Sequence, residues 1–292
     1  MPRYNLSNFN LLILIMIPFR STLRNAFLSV LGPFKSISPS IHILNGHVIG
    51  KSPTQGQAKF RQLVRELSRN AHLIRIEEAC EWIRLGKPVT QPVIAFTFDD
   101  GYIDCYQDIA PVLEEFGTNA LFFINPNFTR GDPAYIDHFL RTRVPDIARR
   151  PPMTPRMVRD LAQRGFVIGA HTLDHVKLTE TDPEILEQQI GNCKSAVESI
   201  SEQACDTFAW TYGRYVDISD AALALACRHY PLVFSGDQYE QYTSRQGRVF
   251  NRRHFECDWP VSHLNYFLST ARQYEAEVAY VDGVHAEGEA HP

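Results

Sequence analysis

Short apolar runs alternating with helix-patterned segments predict a single α/β domain built as a distorted (β/α) barrel. Two of the runs carry most of that prediction. Val93-Ile-Ala-Phe-Thr-Phe98 is rich in β-formers and ends in Asp99-Asp100-Gly101-Tyr102, whereas Phe166-Val-Ile-Gly-Ala170 leads directly into His171-Thr-Leu-Asp-His175. Each polar cluster begins where a strand stops, and in parallel α/β folds the loops leaving the C-terminal strand ends converge on one face. Length agrees: 292 residues with 44% hydrophobic content can bury one large core.

The elements follow in chain order. Ile41 opens the first strand. Residues 60–67 have helical spacing, 73–76 form a short extended piece and 77–83 are helical again. A helix over 104–116 follows the Asp99 strand and leads to a strand over 120–124. Thr154 with Pro155 behind it starts a helix, and Gly165 stops it just before the His171 strand. Asp182-Pro183-Glu184 opens the next helix, whose Leu186, Ile190, Cys193, Val197 and Ile200 form one apolar stripe, a core face rather than a binding device. Segments 207–210, 221–227 and 232–234 continue the alternation. The insertion over 125–152, with Arg141, Arg143, Arg149 and Arg150, is longer than an ordinary βα connection. It is expected either to shape a substrate groove at the site face or to present a solvated helix face.

Composition narrows the partners. A net charge of -4 and a pI near 6.3 give no basic footprint, so no nucleic-acid partner is expected. Six dispersed cysteines without a Cys-x-x-Cys pair argue against a zinc knuckle or a disulfide scaffold. Residues 1–38 read as a separate apolar segment. Leu11–Phe19 is too short to span a bilayer, which needs about 20 residues, and no Ala-x-Ala-like site follows it. Signal-like, interfacial and barrel-packed readings stay open, with peripheral membrane contact among them, and localisation is left undecided. The main domain is expected over 39–274 and a disordered acidic tail over 275–292.

The two polar clusters are chemically complementary. Adjacent carboxylates at the mouth of a buried strand are costly unless a cation or a reaction needs them. Two imidazoles and a carboxylate make a three-ligand site with positions left for water and substrate, the layout of a catalytic metal. The spare carboxylate then has a use as a base. Taken singly, each motif also reads as a turn or a solvated helix face; their joint placement at strand ends favours the metal reading.

These residues resemble the polysaccharide deacetylases with the NodB-homology domain, carbohydrate esterase family four. Thr97-Phe98-Asp99-Asp100-Gly101-Tyr102 is similar to that family's first motif and His171-Thr172-Leu173-Asp174-His175 to its second; the likeness extends over roughly residues 40–255. The resemblance implies that Asp99 is the catalytic base and that Asp100, His171 and His175 bind a divalent metal, zinc by default, with cobalt, nickel or manganese as competitors. It also implies an acetylated oligo- or polysaccharide as substrate.

The chain departs from the family pattern in two places. A strand ending in Pro-Tyr-Gly is expected, and Phe208-Ala-Trp-Thr-Tyr-Gly213 has Thr211 in the proline's place. Tyr212 carries over as the residue whose backbone N–H helps hold the oxyanion, in a turn expected to be looser without proline. The family's late Leu-x-x-His, which supplies the leaving-group acid, has no clean copy; His254, His263 and His285 lie in that half, but none follows an apolar strand with that pattern. A branch resembling exopolysaccharide deacetylases of biofilm systems carries a Tyr-His pair at the end of the first strand. Here the corresponding pair is Gly46-His47, which makes His47 the candidate acid.

Rival readings remain. A two-His, one-carboxylate set also suits non-haem iron oxygenases, where the second aspartate would have no role. A carbohydrate-binding protein that kept the fold and lost efficient catalysis, or an O-acetyl esterase, would carry the same motifs.

Overall fold

The computed structural model describes residues 28–50, 53–145, 149–180 and 182–274. Among them, strands β1 (Ile41–Gly46), β2 (His72–Leu73), β3 (Val93–Phe98), β4 (Ala120–Ile124), β5 (Val167–Ala170), β6 (Thr207–Ala209), β7 (Leu232–Ser235), β8 (Thr243–Ser244), β9 (Val249–Asn251) and β10 (Arg253–His254) form one sheet. Its order is β10-β1-β3-β4-β5-β6-β7-β9-β8, with β2 on β3, and every pairing is parallel except β8 with β9. Residues 249–254 serve both edges. Val249–Asn251 pairs with β7 and Arg253–His254 with β1, so the sheet curls until its two edges share one segment and Arg252 sits at the seam. This is the distorted (β/α) barrel that the sequence predicts.

Successive strand residues face opposite sides, and the core divides accordingly. Ile43, Ala95, Leu121, Phe123, Ala209, Phe234 and Phe250 belong to a smaller cluster inside the barrel, which Ile76, Cys80 and Ile83 of the helix Ile76–Arg84 extend. Leu44, Phe96, Phe98, Phe122, Ile168 and Phe208 face the other way and pack under the helices. The near-continuous apolar runs in the sequence follow from burial on both faces.

Most helix boundaries lie where the chain chemistry puts them. Thr154 and Asp182 cap the helices Pro155–Gln163 and Pro183–Gln189 with their side chains, accepting from Met157 N–H and from the Glu184 and Ile185 N–H groups. The apolar stripe from Leu186 to Ile200 is buried throughout, although the helix breaks at Ile190 and resumes over Gly191–Ser201. The helix after β3 begins with a π turn over Cys105–Ile109 before the α segment Ala110–Glu115. The 125–152 insertion holds the helices Pro126–Arg130 and Pro133–Thr142. Arg141 and Arg149 pair with Asp137 at the surface, but Arg150 is buried, paired with Asp104 at 3.5 Å and donating to Gly50 O at 2.8 Å. It joins the loop after β1 to the first aspartate motif instead of facing solvent.

At the amino end, Leu28 is buried and Gly32 backs onto Ser262 of the helix Val261–Phe267, where an added Cβ would lie 2.1 Å from the Ser262 carbonyl oxygen. The apolar run Leu11–Phe19, with its membrane and signal-like readings, and the tail over 275–292 lie outside the described residues. Among the described residues no helix is long and apolar enough to cross a membrane.

Candidate active site

The pleat aims the first aspartate inward. Ala95, Thr97 and Asp99 share the barrel face of β3, opposite Ile43 and Asn45 of β1, and Asp99 N–H extends the ladder by donating to Gly46 O at 2.9 Å. Asp99 is 4% exposed. Arg252 reaches it from the seam as a two-point fork, with Nη1 2.8 Å from Oδ1 and Nη2 3.0 Å from Oδ2. The same guanidinium donates to Thr97 Oγ1, Asn45 Oδ1 and Ser235 O and lies over the Phe123 and Phe234 rings. Burial pushes the Asp99 carboxyl up, but Arg252, helped by His171, outweighs it and holds the group below the usual carboxylate range. Asp99 is therefore a buried anion kept ionised by the closing strand.

Asp100 turns away from the barrel. Its φ of 73° and the 72° of Gly101 place both residues in the left-handed region, and a Cβ at Gly101 would lie 2.9 Å from Ile124 Cγ2, so only glycine fits. Its Oδ1 lies 3.1 Å from His175 Nε2 and 3.4 Å from His171 Nε2, yet makes no hydrogen bond. Ligand atoms about 2.1 Å from a common ion stand about 3.0–3.4 Å apart, so these spacings suit shared coordination. Among the described residues, Asp100, His171 and His175 are the one set of metal-ligating types that converges, and all three are buried. His171 Nδ1 donates to Ala209 O at 2.8 Å, which leaves Nε2 its lone pair for the shared point. Burial lifts the Asp100 carboxyl, but His175 and His171 reverse that and hold it well below the usual range.

The second motif also folds through strained backbone: Thr172 and His175 have φ of 62° and 51°. Asn125, at the end of β4, donates its amide to the His171 and Thr172 carbonyls. Asp174, inside the motif, accepts from Tyr135 Oη at 2.5 Å, Asn127 Nδ2 at 2.7 Å and Gln189 Nε2 at 2.8 Å, pinning the loop to three other elements. The sequence marked none of these braces. Thr211 departs from expectation in its effect: its buried hydroxyl donates to Val176 O at 2.6 Å, so the turn is tied to the histidine loop rather than loosened. Tyr212 follows in the left-handed region at φ 65°, beyond the end of β6; the residue is 48% exposed and its ring meets the His175 ring edge-on at 5.1 Å.

His47 lies one residue past Gly46, which pairs with Phe98, so it leaves the sheet beside Asp99. The Tyr-His pair of the biofilm branch has no room here, because even a Cβ at Gly46 would lie 2.8 Å from the Phe98 ring and 3.0 Å from Phe255. Of the other histidines, His254 stands next to His47, with ring centroids 5.5 Å apart. His263 is instead buried in the helix Val261–Phe267 beside Ser29 and Trp259, and His285 lies outside the described residues. Arg252 went unmarked because nothing near it in the chain points to Asp99.

Residues 86–228 match the family model for polysaccharide deacetylase. Just under half of the chain is thus similar to the polysaccharide deacetylase family. It is 26% identical over 139 residues to YxkH of Bacillus subtilis (strain 168), a protein named for polysaccharide deacetylase activity, and the match spans 48% of this chain and 43% of YxkH. Among solved structures, the Streptococcus pyogenes deacetylase PplD, in complex with acetate, superposes with a TM-score of 0.61 at 20% identity, covering 80% of this chain and 99% of PplD. IcaB from Ammonifex degensii gives 0.62 at 16% identity, with the same coverage. At these identities the likeness of the deacetylase domain to PplD and IcaB is one of fold.

Proposed function

We propose that this protein is a divalent-metal-dependent hydrolase that removes acetyl groups from N-acetylated sugars of an oligo- or polysaccharide. The observation that carries the reading is the split between two adjacent buried aspartates. Asp100 shares a point with two imidazole nitrogens, while Asp99 is held as an anion by Arg252 and takes no part in that set. An oxygenase site has no use for a second braced carboxylate.

Asp100, His171 and His175 hold the ion, with zinc as first choice and cobalt, nickel or manganese as competitors for the same ligands. A bound divalent ion supplies Lewis acidity toward the acetyl carbonyl and makes water easier to deprotonate. Asp99 accepts the proton of the attacking water. The Tyr212 N–H, at the left-handed turn after β6, helps hold the oxyanion. His47, which leaves the sheet beside Asp99, protonates the departing amine. The acetate complex of PplD supports the product half of this reading by analogy of fold.

The test is acetate release from N-acetylated chito-oligosaccharides and from O-acetylated glycans, using protein stripped with chelator and reloaded with one metal at a time. Acetate freed only from the N-acetylated set and only after reloading is the expected result. Glycan binding without acetate would leave a binding protein on the same fold.

A further inference from the structure

One group of titratable side chains beside the site has no part in that chemistry: His254 and Glu256, on the segment that closes the barrel. β10 pairs Asn45 with His254, so His254 leaves the sheet next to the last residues of β1. The His47 and His254 rings lie 5.5 Å apart between centroids, tilted by 52°. The far side of His254 is fixed, with Nε2 3.0 Å from Glu256 Oε1 and the Trp259 ring edge-on at 5.9 Å. Side-chain exposure is 46% for His254 and 38% for Glu256, whereas His47 is largely enclosed and feels the charges of Asp99 and Asp100. Glu256, His254 and His47 thus neighbour one another in turn, the first two exposed and the last beside Asp99.

Two roles compete for such a set. A second metal centre needs three ligand atoms to converge, and among the described residues only Asp100, His171 and His175 do so. Proton traffic needs only neighbours within reach of one bridging water. We propose that His254, held by Glu256, is the relay that returns a proton from solvent to His47 in each turnover. This rests on the reading of His47 as the leaving-group acid.

In the first step a His47 N–H bond breaks as an N–H bond forms on the departing nitrogen, and the electron pair stays on the imidazole. The His254 imidazolium then passes its proton through one water to the vacated His47 nitrogen, and solvent reprotonates His254. Glu256 holds the His254 ring in place between transfers, with Nε2 3.0 Å from its Oε1. Burial disfavours a charge on His47 and lowers its pKa, with Asp100 and Asp99 at the end of β3 offsetting this in part, so His47 gives up its proton readily and needs it replaced from outside.

The experiment compares the parent, His47→Ala, His254→Ala, His254→Gln and Glu256→Gln, each loaded with one metal, on the acetylated glycan that the parent hydrolyses. Loss of the relay in His254→Ala should lower kcat on the order of 10-fold, less than the 10²–10⁴-fold typical of losing the acid itself, as in His47→Ala. KM and metal content should not move, and added imidazole should restore the lost turnover. Glu256→Gln should lower kcat in the same direction as His254→Ala but by less, because His254 loses the carboxylate that holds its ring. Parental kcat in both His254 variants, or a loss that imidazole does not restore, would overturn the relay while leaving the acid in place. Parental kcat in His47→Ala, or a parent that frees no acetate, would overturn the acid assignment and the relay with it.

Discussion

Replacing Arg252 by methionine tests the pairing on which the whole site rests. The substitution keeps length and apolar bulk and removes the guanidinium that meets both oxygens of Asp99 at 2.8 and 3.0 Å. Asp99 is then a buried charge whose main counter-charge is gone, and breaking a buried pair from one side costs about 3–5 kcal/mol. The sign depends on pH. In the parent, the Asp99 carboxyl is held below its ordinary range, so the pair contributes stability above that range and loses it as pH falls through the folded value. In the variant burial acts without its largest opponent, so the penalty grows as pH rises and shrinks in acid. Urea unfolding in chelator at pH 5 and pH 8, for the parent, Arg252→Met, Asp99→Asn and the double variant, measures both terms. The double variant should recover much of the loss at pH 8, since asparagine leaves no charge behind. A single variant within about 1 kcal/mol of the parent at pH 8, against the 3–5 expected, would refute the argument.

Three further outcomes are expected. Asp99→Asn should keep its metal and lose on the order of 10²–10⁴-fold in turnover, whereas Asp100→Asn and His175→Ala should lose metal and activity together; elemental analysis beside acetate release at two metal concentrations separates them. Gly46→Ala should destabilise by about 1–3 kcal/mol in thermal or urea unfolding, because its Cβ would lie 2.8 Å from a ring that has no room to retreat. Burial, reinforced by Arg272 against the Ser38 carbonyl, lowers the pKa of His42 to about 3. A histidine that stays neutral in the fold loses stability as pH drops below its unfolded value of about 6.5, by about 2 kcal/mol between pH 8 and 5. A His42→Asn variant should lack that slope, and an unchanged slope would remove His42 as its source.

The parts of the site that could be read from the chain are those whose chemistry is local. Asp99 and Asp100 stand together after an apolar run, and His171 and His175 share one loop after another, so strand ends alone suggested that they meet. The braces are different in kind. Arg252 and Asp99 are 153 residues apart, and Val249-Phe250-Asn251 is too short an apolar patch to announce the strand that closes a barrel. Asp174 looked like a spacer between motif residues, yet three partners from other elements converge on it. Thr211 was read through the proline it replaces, which hid the hydroxyl bond to Val176 O. Each omission is a long-range hydrogen bond, which periodicity and spacing do not encode.

Closure by residues 249–254 also has a consequence in time. Asp99, Asp100, His171 and His175 all precede residue 176, but the counter-charge for Asp99 and the segment that joins the two sheet edges come only at 249–254. Contacts across such separations form late, after loop entropy has been offset elsewhere. A nascent chain that has emerged only as far as β7 therefore holds Asp99 in an open sheet, without Arg252 to keep it ionised. The proposed site is complete only once one short segment, 249–254, has docked between β7 and β1.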